Sequence, residues 1–359
     1  MGVRGLRAQE NVQFDTNIGG RGSLKAHAHK RGLLAGCAVT AADLREDAFR
    51  KMLVEQYSVM VAANALKLGP LRPKPDSYFF DDADALVAFA QEHKIKFRGH
   101  NFVWHESLPS WFAGTVTKEN AKLIMTEHIM NVGGRYSGKV QSWDVVNEAI
   151  DVNDGRPDGL RKSPWFELIG PDYLDIAFRT ARKADPKAKL TYNEYGIENE
   201  SEKADKKRAA TLALLKRLKA AGAPVDALGI QSHIPAGTNA TYGKGLRELI
   251  DAVQSMGLEV YLTELDVTDD DIQDDDVAVR DPAVAEAYRV YLNCALESRA
   301  VKAVLTWGMT DAHTWLNGIK RHKEKQPNRP ERPLPFDARY KPTQAFFALR
   351  TAFDEAPHR

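Results

Sequence analysis

Eight short apolar segments, each followed by a longer amphipathic segment, place the strongest constraint on what this chain can fold into. The short segments are rich in β-branched and aromatic residues and do not alternate with polar ones, which is typical of strands buried on both faces. We predict strands over 33–39, 58–64, 96–104, 142–148, 189–195, 227–234, 258–267 and 303–309.

The longer segments between these strands carry a helical period. In the segment 242–256 the apolar residues Leu246, Leu249, Ile250 and Val253 follow the i, i+3, i+4, i+7 spacing of one helix face. Glycines such as Gly222 stand where C-terminal helix caps belong. We predict helices over 41–56, 82–94, 120–136, 172–185, 201–221, 242–256, 282–298 and 342–356.

Eight consecutive strand–helix units predict the α/β class and a single (β/α)8 barrel. A doubly wound open sheet would usually have fewer strands and a glycine-rich phosphate turn, and the sequence has neither a GxGxxG nor a GxxxxGK[ST] motif. We therefore predict one catalytic domain over 24–359, preceded by a flexible N-terminal extension over 1–23.

The balance of charges excludes several classes of partner. Lys and Arg number 50 and Asp and Glu number 49, so there is no electrostatic reason to bind a nucleic acid or an anionic membrane. No stretch approaches the ~20 apolar residues of a membrane span. The N-terminal residues 1–32 are polar and show no signal-peptide core, so the protein either stays inside the cell or has lost its signal.

Cysteines and acidic runs give no sign of a metal or redox function. Cys37 and Cys294 are too few for a disulfide framework, and we expect both to be buried free thiols. The acidic run 268–276 lacks the spacing and glycine of a calcium loop, so we expect it to be a solvated loop. His100, His105 and His233 form no HxH or HExxH ligand set, and we expect no metal and no cofactor.

The active site of such a barrel lies at the C-terminal ends of its strands. Glu148 ends the fourth predicted strand and Glu264 lies near the end of the seventh, on nearly opposite sides of the ring. Neutral polar and aromatic side chains that suit sugar hydroxyls and pyranose faces occupy the other strand ends: His100, Trp104, Asn147, Tyr195, Gln231, His233, Trp307 and Trp315.

Two facing carboxyl groups are what glycosidic bond cleavage requires. One protonates the leaving oxygen, and the other attacks the anomeric carbon or activates water. Taken singly, each residue has a plainer interpretation: a glutamate at a strand end can be solvated or ion-paired, and His100, His233, Trp307 or Trp315 can be packing residues. A buried carboxyl without a partner is costly, which favours a functional interpretation for Glu264 between its leucine neighbours.

Several motifs together resemble those of family 10 glycoside hydrolases, the endo-β-1,4-xylanases, over nearly the whole chain. The two most specific are Trp143-Asp-Val-Val-Asn-Glu148 and Thr263-Glu-Leu-Asp266. The others are Gly99-His-Asn-Phe-Val-Trp-His105, Leu108-Pro-Ser-Trp111, Gln231-Ser-His233, Trp307-Gly-Met-Thr-Asp311, Pro333-Leu-Pro-Phe-Asp337 and Tyr340-Lys-Pro342.

The resemblance implies a role for each residue that it matches. Glu148 matches the acid/base, Glu264 the nucleophile, and Asn147 the group that contacts the sugar 2-hydroxyl. His233 looks like the histidine that hydrogen-bonds the nucleophile, with Asp266 holding it. Sugar-binding positions are matched by Asn64, Lys67, His100 and Trp104 on the non-reducing side, by Gln231, Trp307 and Trp315 around the sugar at the point of cleavage, and by Tyr195 on the leaving-group side.

Three positions depart from the family pattern on the non-reducing side of the bond. Ala63 stands where a sugar-binding Glu is expected, Leu68 replaces an aromatic residue, and Ser107 replaces a Gln. Each lost hydrogen bond to sugar removes roughly 1 kcal/mol, so we expect weak binding of unsubstituted xylan chains there.

The resemblance implies a retaining double displacement on xylan by a secreted or periplasmic monomer. Three other functions stay open at this point. The first is a related retaining β-glycosidase, such as a cellobiosidase, a glucanase or an enzyme for short or substituted oligosaccharides. The second is a weakly active sugar-binding protein. The third is a metal-dependent barrel hydrolase that a chelator would inactivate.

Overall fold

A computed structural model describes residues 17–237 and 241–359. Its strands, in chain order, are β1 (Leu34–Val39), β2 (Val59–Ala62), β3 (Lys96–Val103), β4 (Ser142–Asn147), β5 (Lys189–Glu194), β6 (Ala227–Ile230), β7 (His233–Pro235), β8 (Glu259–Thr268) and β9 (Val301–Thr306).

The strands form a closed parallel barrel, as predicted. Each of β1 to β6 pairs in parallel with its neighbour in the chain, β6 pairs with β8, β8 pairs with β9, and β9 pairs with β1. Ring closure therefore involves eight strands, while β7 pairs only with the far end of β8. Parallel strands that close in this way bring all their C-terminal ends to one face.

The predicted strand over 227–234 is wrong in one respect, because the structure divides it into β6 and β7. Ser232 interrupts it with a left-handed backbone, φ 70°. The Ser232 amide donates to Glu198 Oε1 at 2.9 Å instead of joining a ladder. The break turns Gln231 and His233 toward the mouth of the barrel.

Helices surround the barrel between successive strands. The long ones agree with the predicted positions to within a few residues, except at two starts described below. Their bounds are α1 (Leu24–Lys30), α2 (Asp47–Gln56), α3 (Leu68–Leu71), α4 (Asp81–Glu92), α5 (Phe112–Thr115), α6 (Ala121–Arg135), α7 (Pro164–Ile169), α8 (Tyr173–Ala184), α9 (Glu202–Ala220), α10 (Lys244–Ser255), α11 (Val277–Leu296), α12 (Lys320–Lys325) and α13 (Gln344–Glu355).

Two predicted helix starts are wrong. The helix predicted over 41–56 begins at Asp47, after a short 3-10 turn over Asp43–Arg45. The helix predicted from Pro282 begins at Val277, where the Asp276 side chain caps it by accepting from the Ala278 amide. Pro282 then lies inside α11, where it has no amide to donate to the helix.

The acidic run 268–276 is only in part the solvated loop that its composition indicates, because Asp271 and residues 273–276 are exposed while its first acidic residues are not. Asp269 and Asp270 are buried, and Asp269 Oδ2 pairs with the Arg280 guanidinium at 2.6 Å. The Asp269 amide donates to Glu331 Oε2 at 2.9 Å. Buried charges need such partners, so the first part of the run is folded onto the end of the barrel.

Three further predictions concern the N-terminal segment, the cysteines and a membrane span. Residues 1–16 of the predicted extension lie outside the described residues, and Ile18 accepts a hydrogen bond from Gln56. Cys37 and Cys294 are free and buried, as predicted. In the part of the chain that the structure describes, no helix combines the length and apolarity needed to cross a membrane.

Candidate active site

A cleft of about 560 Å³ opens at the C-terminal ends of the strands. It brings together most of the residues predicted from the sequence, with Asn64 in an adjoining cavity and Asp266 behind His233. Its lining consists of Lys67, His100, Trp104, Glu106, Asn147, Glu148, Tyr195, Gln231, His233, Glu264, Trp307 and Trp315.

Glu148 follows β4 directly and has a left-handed backbone, φ 59°. This conformation is costly for a residue with a branched or long side chain. Its amide donates to the Asn193 carbonyl at 2.9 Å, and its own carbonyl accepts from Arg161 Nε at 2.8 Å. Such over-determined strain is typical of functional sites, and here it aims the carboxyl into the cleft.

The Glu148 carboxyl is nearly buried and hydrogen-bonded through both oxygens. Trp104 Nε1 donates to Oε2 at 2.9 Å, and Gln231 Nε2 donates to Oε1 at 2.9 Å. Burial raises the pKa of Glu148, the Gln231 hydrogen bond opposes this, and the negative charges of Glu194 and Glu264 raise the pKa further. These surroundings therefore favour the protonated form of Glu148 more than water would.

The Glu264 carboxyl, on β8, has the opposite electrostatic environment. Asn193 Nδ2 donates to Oε1 at 2.7 Å, His233 Nε2 lies 3.3 Å from Oε2, and His100 Nδ1 lies 3.8 Å from Oε1. Burial alone would raise the pKa of Glu264, but His100, His233 and the Asn193 hydrogen bond lower it to about 2. Glu264 is therefore an anion at any ordinary pH.

Behind Glu264 a second carboxylate fixes the histidine. Asp266 Oδ1 lies 2.7 Å from His233 Nδ1, and Asp266 Oδ2 accepts from Trp315 Nε1 at 2.7 Å. Burial would lower the pKa of His233, but Asp266 and Glu264 hold it well above its ordinary value. The imidazolium therefore lies between two carboxylates, and its charge helps to keep Glu264 ionised.

His100 is held by a buried charge pair beneath the cleft. Its Nδ1 lies 3.0 Å from Asp144 Oδ2, while Arg98 donates to Asp144 Oδ1 at 2.5 Å. Arg98 and Asp144 are each about 1% exposed. These two residues were not predicted, because a buried ion pair beneath a site leaves no pattern in the sequence.

Asn193, on β5, links the two glutamates and was also missed. Its Nδ2 donates both to Asn147 Oδ1 at 2.9 Å and to Glu264, and its Oδ1 accepts from Thr263 Oγ1 at 2.8 Å. Asn147 in turn donates to Glu148 Oε1 at 3.2 Å. One hydrogen-bonded chain of amides thus joins the carboxyls, and only the position of Asn193 at a strand end signals it.

Tyr195 is positioned on the far side of the cleft by buried charges. The Lys207 ammonium lies 3.5 Å from its ring centroid and pairs with Glu194 at 2.8 Å. Arg161 donates to the Tyr195 hydroxyl at 3.2 Å. The ring is 38% exposed, so its free face can receive an apolar ligand surface.

Lys67 lies at the other end of the cleft, between two indoles. Its Nζ donates to Asn64 Oδ1 at 3.0 Å and lies 5.1 Å from the Trp104 ring and 5.8 Å from the Trp307 ring. Burial lowers the pKa of Lys67, while Glu264 and Glu148 oppose that shift. Asn64 and Lys67 are thus joined, as expected of residues that bind one sugar together.

One cluster of metal-ligand type lies away from this cleft. Asp270, His322 and Glu331 bring one ligand atom each within 4.8 Å of one another. His322 Nδ1 lies 2.6 Å from Asp270 Oδ1 and 3.4 Å from Glu331 Oε1. The short contact between the imidazole and Asp270 accounts for part of this arrangement without a metal ion.

Comparison with known proteins identifies the family of this chain. The model of glycosyl hydrolase family 10 matches residues 23–352. Endo-1,4-beta-xylanase A of Caldicellulosiruptor saccharolyticus is 34% identical over 336 residues, which cover 90% of this chain and 94% of that protein. Exoglucanase XynX of Acetivibrio thermocellus is 31% identical over 332 residues, which cover 88% of this chain.

A solved xylanase structure has the same fold as this chain. Xylanase 10B from Thermotoga petrophila RKU-1 in complex with xylobiose superposes with a TM-score of 0.82 and 30% identity, covering 93% of this chain and 97% of that one. Some relatives are much longer, and the chain spans only 26%, 46% and 28% of three of them. The match to the family model and to relatives of similar length shows that the chain belongs to glycosyl hydrolase family 10.

Proposed function

We propose that this enzyme hydrolyses β-1,4-xylosidic bonds within xylan with retention of configuration, using Glu148 as acid/base and Glu264 as nucleophile. The opposite pKa shifts of two carboxyls in one cleft carry the proposal: that of Glu148 is raised and that of Glu264 is lowered to about 2. Environments that separate two pKa values in this way assign the acid and the base.

The reaction proceeds in two displacements. Glu264 forms a bond to the anomeric carbon as the glycosidic C–O bond breaks, and Glu148 gives its proton to the departing oxygen. Water then attacks the same carbon and passes a proton to Glu148, while Glu264 leaves as a carboxylate. Retention requires the two carboxyls to stand about 5–5.5 Å apart.

The lining of the cleft supports a sugar chain as ligand. Asn147 is held by Asn193, and we assign it to the 2-hydroxyl of the sugar that is attacked. Asn64, Lys67, His100 and Trp104 serve the non-reducing side, Tyr195 serves the leaving group, and Gln231, Trp307 and Trp315 surround the sugar at the cleavage point. His233 and Asp266 act on Glu264 by keeping it ionised.

The relatives support xylan as the substrate. Most of those with similar length are named endo-1,4-beta-xylanases, and one structural neighbour holds xylobiose. The relative named an exoglucanase, together with the departure at Ala63, favours a second candidate, a related β-glycosidase with altered preference. Parallel assays on xylan, cellulose and an aryl xylobioside separate the two.

The stereochemical claim is tested by following xylotetraose hydrolysis by proton NMR. The β-anomer of the product should appear first and then mutarotate, whereas the α-anomer appearing first would refute retention.

Glu264→Ala should abolish turnover. Glu148→Ala should lose activity on xylan yet retain part of the first step on an activated aryl xyloside, which needs no proton. The exposed Glu167→Ala on α7 serves as the control and should behave as wild type.

Two further expectations belong with this proposal. Xylan is an extracellular polymer, so we propose that the enzyme acts outside the cell or in the periplasm. We also propose that it acts as a monomer, which sedimentation of the purified protein would test.

A further inference from the structure

The break between β6 and β7 places one polar partner beside each of the two glutamates of the cleft. Gln231, before the break, donates from Nε2 to Glu148 Oε1 at 2.9 Å. His233, after the break, has its Nε2 3.3 Å from Glu264 Oε2. Ser232 is the single residue between them, so its left-handed backbone sets the position of a partner of each glutamate.

The break also changes the register of this strand against β8. Ile230 pairs with Leu262 before the break, and His233 pairs with Asp266 after it. Two residues on this side therefore face three residues of β8, of which Glu264 is the middle one. A strand without the break would slip by one residue against β8, and His233 would lose its place opposite Asp266.

Two buried side chains hold Ser232 in its conformation. Glu198, in the loop after β5, accepts from the Ser232 amide through Oε1 at 2.9 Å. The Tyr291 hydroxyl, on α11, lies 2.6 Å from Ser232 Oγ. A left-handed backbone is costly for a residue other than glycine, and a buried amide needs an acceptor. Because Glu198 supplies that acceptor only where the backbone is left-handed, it offsets the strain of the break.

Glu198 itself lies behind the site. Its side chain is buried, and it is not among the residues that line the cleft. Burial raises the pKa of Glu198, and the Ser232 amide opposes that shift. The titratable groups that interact with its charge are Lys207 on α9, His233 on β7, Tyr242 just before α10 and Tyr291 on α11. Glu198 thus has two links to the site, its hydrogen bond to Ser232 and the attraction between its charge and that of His233.

We propose that Glu198 is a positioning residue, whose hydrogen bond to the Ser232 amide fixes the break that places Gln231 against the acid/base and His233 against the nucleophile. The site requires the position of the Glu198 carboxyl oxygen and not its charge. This inference rests on the proposed function, because it assumes that Glu148 and Glu264 carry out the reaction.

A break that relaxes should change both glutamates in the same direction. The Gln231 hydrogen bond lowers the pKa of Glu148, and His233 lowers the pKa of Glu264. Both pKa values should rise when these two partners withdraw. Loss of the negative charge of Glu198 would act in the opposite sense, since a carboxyl ionises more readily when a nearby anion is removed. The sign of the shift therefore separates a positioning role from a purely electrostatic one.

Two conservative variants test the proposal through the pH profile of kcat/KM for xylotetraose, whose leaving group needs a proton. Glu198→Asp keeps the charge but shortens the side chain by one methylene, which withdraws the oxygen from the Ser232 amide. It should lower kcat/KM at pH 6 about tenfold and move both limbs of the profile to higher pH. Glu198→Gln loses the charge but keeps an oxygen that accepts from this amide, so both limbs should stay in place.

Glu200→Asp is the matched control. Glu200 lies two residues farther along the same loop and accepts from the Gly243 and Gly245 amides instead of the Ser232 amide. The same shortening there should leave both limbs in place. Limbs that stay in place in Glu198→Asp, or that move in Glu198→Gln, would overturn the proposal, and so would an equal shift in the control.

Glu198→Met gives a second test in case Glu198→Asp does not fold. Methionine fills a similar space without an oxygen, and it differs from Glu198→Gln in the acceptor while both lack the charge. The limbs of Glu198→Met should lie at higher pH than those of Glu198→Gln, and equal profiles for the two would overturn the proposal.

Glu264→Ala separates this inference from the function on which it rests. If that variant still hydrolyses xylotetraose, the proposed function fails. If it is inactive and the Glu198 variants keep the wild-type limbs, only the positioning role of Glu198 fails.

Discussion

Removing the positive charge of His233 should raise the pH at which Glu264 loses its activity. Glu264 must be ionised to attack carbon, so kcat/KM falls on the acid side as pH drops through its folded-state pKa. That pKa is about 2, below the ordinary 4.5. The wild-type acid limb should therefore lie below about pH 3.

The expected size of the shift follows from the geometry. His233 Nε2 and Glu264 Oε2 are 3.3 Å apart, and two unit charges at that distance interact by about 5 kcal/mol at an effective dielectric constant of 20. This equals between three and four pKa units at ~1.4 kcal/mol each. His233→Gln keeps a hydrogen-bond donor and so restores part of that energy, which puts the acid limb at about pH 4 to 5.

The assay is the pH profile of kcat/KM for an activated aryl xyloside, taken between pH 3 and 9. Only the acid limb should move, because the basic limb reports Glu148, whose pKa is raised by burial and not by His233. The exposed His29→Gln should leave both limbs in place. An acid limb that stays below about pH 3 in His233→Gln would refute the electrostatic role given to this histidine.

Three further predictions concern buried charges elsewhere. The negative charge of Glu194 raises the pKa of Glu148, so Glu194→Gln should move the basic limb of the same profile to lower pH. His128 is buried with both ring nitrogens unbonded to any described residue, and burial lowers its pKa from 6.5 to about 3. His128→Leu should therefore gain stability over wild type as pH falls below 6.5, by about 3 kcal/mol near pH 4 in urea melts, and a constant difference would contradict this. Arg280→Met removes the guanidinium that pairs with the buried Asp269, which should cost about 3–5 kcal/mol of unfolding free energy in urea melts.

The hydrophobic pattern predicted the barrel because each long helix and strand contains enough residues for its pattern to be visible. The helix α10 buries Leu246, Leu249, Ile250 and Val253, the residues whose spacing predicted it. Elements of one turn, such as α3, α5 and α7, are too short for a period to be visible and were missed. The break between β6 and β7 was missed because a serine with positive φ looks like any other serine in a sequence.

The prediction of a solvated loop over 268–276 was wrong at Asp269 and Asp270 for a different reason. Its charges indicated exposure to solvent, but the partners that bury Asp269 come from other segments. Arg280 lies within the next helix, and Glu331, which accepts a hydrogen bond from the Asp269 amide, lies 62 residues farther along the chain. The composition of a segment does not show which distant residues it contacts, so the burial of Asp269 could not be predicted from the segment alone. The same limit hid Arg98 and Asp144, whose pairing supports His100 from below.

The catalytic pair itself shows how the site separates two like residues. Glu148 and Glu264 are both largely buried, and burial pushes both of their pKa values upward. What differs is the partner set: Glu148 meets neutral donors and a further carboxylate, whereas Glu264 meets two imidazoles and an amide. Asn147 and Asn193 connect the two carboxyls through a chain of hydrogen bonds, in which Asn147 donates to Glu148 and Asn193 donates to both Asn147 and Glu264. The strained backbone of Glu148 therefore has a structural reason, since a relaxed conformation would withdraw its carboxyl from its donors Trp104, Gln231 and Asn147.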